Sequence, residues 1–105
     1  NNNCLSFRLL DGSNAHIVRG DAAGSRLRTF MGRGHYSVSA SNYIIAETSG
    51  SYLWSPASAS AQTIKLQASN TVGTQAFFIN RSHHDTDADW QDRAVSTMTV
   101  TEIAG

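Results

Sequence analysis

Apolar and polar residues alternate with period two along most of this chain. In CLSFRLL, Leu5, Phe7 and Leu9 fall on one side and Ser6 and Arg8 on the other, the spacing of a half-buried strand. Asp11-Gly12-Ser13-Asn14 then supplies turn chemistry, and AHIVRG reads as a second short strand. GDAAGS is a loop, followed by RLRTFM, where Leu27, Thr29 and Met31 alternate with Arg26, Arg28 and Phe30. In GRGHYSVSA a glycine turn precedes Tyr36, Val38 and Ala40 on one face. NYIIAE and SYLW are short apolar runs on either side of Thr48-Ser49-Gly50, and SPASASA is a loop holding the one proline, Pro56. QTIKLQAS places Ile64, Leu66 and Ala68 inward and Thr63, Lys65 and Gln67 outward. QAFFIN and the β-branched run AVSTMTVTEI complete the series.

No stretch carries a helical stripe. About eight or nine short strands, with a turn every ~8–12 residues, predict an all-β fold: a compact antiparallel β-sandwich of jelly-roll type. Residues 1–105 read as a single domain, with neither an internal repeat nor a linker inside it.

Composition narrows the function classes. Eight Lys+Arg balance eight Asp+Glu, so no global field favours nucleic acid or an anionic membrane. Seven of the eight cations are arginine and only Lys65 is lysine, which suits planar, bidentate contacts at an interface. No apolar run reaches the ~20 residues that span a bilayer, so membrane insertion is not expected. Cys4 is the sole cysteine. An intrachain disulfide and CxxC metal or redox motifs are therefore excluded, and a small buried thiol in a reduced compartment is the simplest expectation. NNNCLSF lacks the basic and apolar regions of a signal peptide and reads like the interior of a longer polypeptide.

The densest chemistry lies in NRSHHDTDADW, between QAFFIN and the last apolar run. Asp85, Asp87 and Asp89 fit positions one, three and five of a calcium loop. Trp90 then stands where that loop needs glycine, and Ser96 where it needs a bidentate glutamate, so an EF-hand is rejected. Water and salt screen the repulsion between three exposed carboxylates, and His83 and His84 would face opposite ways in an extended chain. No metal and no other cofactor is expected.

Catalysis is not expected either. The chain has no G-x-S-x-G elbow, H-E-x-x-H pair or P-loop, and its only glutamates, Glu47 and Glu102, sit in strand-like segments rather than across a cleft. Arg26, Arg28 and Arg33 could hold an acidic ligand, although a solvated strand face or subunit salt bridges explain them as well. Asn80-Arg81-Ser82 has the form of a glycosylation sequon, which carries no meaning for a protein made in a bacterial cytoplasm. Tyr52, Trp54 and Trp90 could stack on sugars; the alternative places Trp54 in the core and Trp90 over its own loop.

FRLLDGSN, GDAAGSR, SYLWSPASASAQTIKLQAS and FFINRS…DTDADW…RAVSTMTVTEIA together resemble the C-terminal domains of phage tail fibres and related virion appendage proteins. The resemblance runs from about Leu5 to Ala104 and is most specific over residues 79–104. It implies a β-sandwich comparable to the tumour-necrosis-factor and C1q jelly rolls, assembled as a homotrimer with other virion proteins and located in the virion. It implies trimerisation and attachment to a host surface glycan or protein, with no enzyme activity in this module. Asn80, Arg81, Ser82, Ser96, Thr97, Val100, Glu102 and Ile103 match the motif and would be structural, whereas Cys4 and the His83-His84 pair fall outside it.

On this reading Tyr52, Trp54, His83, His84 and Trp90 are the candidate receptor- or glycan-binding residues. Thr97, Thr99 and Thr101, on one side of a buried closing strand, are the candidate subunit interface. Two rival readings use the same pattern: a purely structural head-fibre or decoration module, and a carbohydrate-binding module of a depolymerase.

Overall fold

The computed structural model describes residues 4–34, 47–70, 76–82, 84–89 and 91–104. Among them there is no helix, and four strands form one antiparallel sheet: β1 (Cys4–Asp11), β2 (His16–Val18), β3 (Met31–Gly34) and β4 (Ile64–Asn70). The all-β prediction holds. Segment 35–46, in which Tyr36, Val38, Ala40 and most of NYIIAE were expected to form strands, lies outside the described residues.

β1 organises the sheet because both of its hydrogen-bonding edges are used. β4 pairs with it from Leu5↔Asn70 to Asp11↔Ile64. The opposite edge is shared: β3 takes Cys4 to Phe7, and β2 takes Leu9 and Leu10. A register shift between Leu9 and Leu10 lets β2 leave the sheet at a bulge.

The predicted turn after β1 is formed by Asp11. Its Oδ1 accepts from the Ser13 amide at 2.9 Å, the Ser13 hydroxyl at 2.8 Å and the Ala15 amide at 2.9 Å. Asn14 takes the left-handed conformation at φ 65°, which asparagine tolerates better than most residues. Lys65 Nζ reaches Asn14 Oδ1 at 3.0 Å, tying the turn to β4. The predicted GDAAGS loop is also present: Gly24 turns the chain at φ 59°, and the Gly20 amide donates to the Thr29 carbonyl at 3.1 Å.

Register fixes the two faces, because directly opposed residues share a side. In β1, β3 and β4, Leu5, Phe7, Leu9, Met31, Ile64, Leu66 and Ala68 share one face, with Asp11 and Asn70 at its ends. Ser6, Arg8, Leu10, Lys65, Gln67 and Ser69 lie on the other. None of those seven apolar residues is fully buried, and Leu66 is 47 % exposed. Leu10, at 6 % exposure, is the only buried apolar side chain among the described residues, and it belongs to the polar face. Beside it Ser6, also 6 % exposed, meets Ser69 across the strands, Oγ to Oγ at 3.3 Å.

Several predicted strands are not strands. SYLW, the described part of QAFFIN, the first five residues of RLRTFM and the run at 94–103 have no ladder partner. Alternation marks a chain that could pair but does not supply the partner, and among the described residues these runs have none. The closing run is therefore not the buried strand expected of it. Val95 is 86 % exposed and Ile103 72 %, and Thr97, Thr99 and Thr101 are exposed with them.

Candidate functional site: the loop around Asp85

The described residues converge on a loop built over positions 78–96. It opens at Asn80, whose left-handed backbone (φ 65°) reverses the chain. The Asn80 carbonyl accepts the Ala94 amide at 2.9 Å, and its Oδ1 accepts the Ser96 hydroxyl at 2.7 Å. One asparagine thus clamps the two ends of the loop together. Arg81 and Arg93 face each other in the next step as an antiparallel bridge.

Two opposed guanidinium groups would repel, and Asp85 lies between them. Its carboxylate accepts from Arg93 Nε at 3.1 Å and Nη2 at 2.7 Å, and from Arg81 Nη1 at 3.0 Å. The bidentate fork to Arg93 is the geometry guanidinium favours. Hydrogen bonding from Arg93 is the main reason the Asp85 carboxyl lies below its ordinary range, with Arg81 adding to it; the same bonding raises Arg93. The Arg81 guanidinium also stacks 4.2 Å above the centre of the Phe78 ring.

Ser82 lies beneath this cluster at 2 % exposure. Its hydroxyl is 3.1 Å from the His84 carbonyl and 2.9 Å from Gln91 Oε1, two acceptors that share one proton. The Gln91 amide closes a small turn on the Ala88 carbonyl at 3.0 Å. The loop is thus pinned at its base by Asn80, across its middle by Asp85 and from below by Ser82, while Asp87, Asp89 and His84 stay on the exposed side.

The sequence candidates occupy two places. His84 belongs to this loop; His83 and Trp90 lie outside the described residues. Tyr52 and Trp54 sit on the irregular segment before β4. Tyr52 is 51 % exposed and Trp54 half-buried; two positions apart in extended chain they share a side, with Leu53, 78 % exposed, on the other. Of the arginines considered for an acidic ligand, Arg28 Nε donates to the Gly20 carbonyl at 2.6 Å and Arg26 Nη1 to the Ala23 carbonyl at 3.3 Å. Both act locally.

Sequence reasoning read the three aspartates as equivalent and missed that Asp85 differs. The signal was available: Arg81 stands four residues before Asp85, and Arg93 follows on the returning chain. No group of three His, Cys, Asp or Glu side chains able to hold a metal ion is present among the described residues. Comparison with protein-family models, curated proteins and solved structures returned no match.

Proposed function

We propose that this chain is a self-assembling end domain of a virion appendage: a homotrimer whose subunits complete one another's sandwich and present the 52–54 segment and the 78–96 loop to a host surface. One observation carries the assembly part of this reading. Among the described residues Leu53, Leu66, Val95, Met98, Val100 and Ile103 are all exposed, and Leu10 is the only buried apolar side chain. A chain with one buried apolar side chain among its described residues needs a further layer to be stable.

The virion assignment rests on the resemblance of residues 79–104 to fibre-tip sequences, and the pinned loop fits it. A rigid loop repeated three times about an axis multiplies weak contacts through avidity. Tyr52 and Trp54 offer adjacent aromatic surface for sugar rings.

Binding of the purified chain to a panel of bacterial surface polysaccharides tests the attachment role. The expected result is binding that Tyr52→Ala weakens at least tenfold without changing the mass of the assembly. An intact trimer that binds none of the panel would favour the structural cap or decoration module.

A further inference from the structure

The connection between β2 and β3 carries Arg19-Gly20-Asp21 directly after Val18, the last residue of β2. All three residues are exposed. The loop that holds them is tied across its base: the Gly20 amide donates to the Thr29 carbonyl at 3.1 Å, and Arg28 Nε donates to the Gly20 carbonyl at 2.6 Å. Further along, Arg26 turns back on the Ala23 carbonyl through its amide at 3.2 Å and its Nη1 at 3.3 Å. Both backbone polar groups of Gly20 are thus fixed, while the side chains flanking it are free. Among the described residues neither the Arg19 guanidinium nor the Asp21 carboxylate has an ion pair or a hydrogen bond.

The fold does not explain the glycine between them. Gly20 does not take a positive φ, as Gly24 does at 59°. A Cβ at Gly20 would meet only the Thr29 carbonyl oxygen, at 3.8 Å, an ordinary van der Waals contact. Alanine would fit. What glycine supplies is bare backbone between two opposite charges, where a partner's surface can approach closely.

We propose that Arg19-Gly20-Asp21 is an attachment site for an adhesion receptor of the integrin type, one that reads this tripeptide through a receptor-held divalent cation beside an acidic pocket. Asp21 supplies a carboxylate oxygen to the cation, a hard ligand for a hard ion. Arg19 enters the acidic pocket, where a guanidinium pairs with carboxylate in its favoured planar geometry. The receptor closes over Gly20 between them. A loop already fixed in shape loses less freedom on binding than a flexible tripeptide does, and Arg28 provides that fixing. The inference stands on this loop alone and requires neither the trimer nor glycan binding.

Direct binding tests it. The purified full chain is immobilised and probed with an integrin ectodomain that reads Arg-Gly-Asp, in buffer containing manganese. Saturable binding is expected, removed by EDTA and by an excess of soluble Gly-Arg-Gly-Asp-Ser peptide. Asp21→Glu keeps the charge but moves the carboxylate outward, and Gly20→Ala puts a methyl group where the receptor must approach. Each is expected to lose binding while its urea midpoint stays that of the parent. Arg28→Met, which releases the Gly20 carbonyl, should weaken binding about two- to tenfold. A parent chain that does not bind, binding that survives EDTA, or a Gly20→Ala or Asp21→Glu variant that binds like the parent would overturn the proposal. If a variant fails to fold, competition on the unaltered chain decides, and capture that the peptide cannot displace would overturn it equally.

Discussion

Asp85 grips Arg93 with both carboxylate oxygens, at 3.1 Å and 2.7 Å, and through it holds the two arms of the 78–96 loop at a fixed separation. Arg81 completes the cluster at 3.0 Å. The loop's middle is therefore held by charge, beside the neutral hydrogen bonds of Asn80 and Ser82, and that part of it responds to pH and salt.

The Asp85 carboxyl lies below its ordinary value of 3.8 in the folded chain. Its contribution to loop stability is complete above 3.8 and is lost as pH falls through the depressed folded value. Limited proteolysis of residues 82–92 should accelerate only in that acid window. Asp85→Asn should give the same susceptibility at neutral pH, and molar salt part of it, because the pair is exposed.

Both oxygens of Asp85 are already taken by guanidinium groups, which leaves Asp87 and Asp89 without a third carboxylate for a cation. Calcium or a chelator should leave the solution mass and the melting temperature unchanged. A rise in melting temperature with calcium would show that a cation displaces Arg93.

Asn14 holds a left-handed backbone at φ 65° between β1 and β2. Asn14→Gly should fold normally, losing only the contact to Lys65. Asn14→Val places a β-branched residue where such residues are strained and should destabilise the chain by about 1–2 kcal/mol. Urea unfolding of the two variants gives the comparison.

Gly50 passes directly over the start of β3. A Cβ there would meet Met31 Sδ at 2.8 Å and Phe30 Cζ at 2.9 Å. The thioether can move aside, but the ring must shift with it. Gly50→Ala should therefore cost about 1–3 kcal/mol, measured by the same urea titration.

Part of this architecture was legible in the sequence. The alternation of Leu5, Phe7 and Leu9 with Ser6 and Arg8, and of Ile64, Leu66 and Ala68 with Lys65 and Gln67, matches the two faces of the central pair, although neither the pairing nor its register was legible. Asp11 to Asn14 and the glycines of GDAAGS marked their turns, because turn chemistry is local. Alternation could not reveal which runs find an edge to pair with. That is a tertiary property, and SYLW and 94–103 carry the pattern without the ladder. Nor does it show that an inward-facing residue is covered: Leu66 points to the apolar side and stays exposed. In the loop, composition drew attention to three aspartates, while the distinction between Asp85 and the others depends on Arg93 returning across the bridge to Arg81.

The central claim is that copies of this chain complete one another, and its mass in solution tests that most directly. Light scattering on the purified chain, over a hundredfold range of concentration, should give three times the 11.3 kDa of a single chain, falling only at the lowest concentrations. A folded monomer throughout that range would contradict the account.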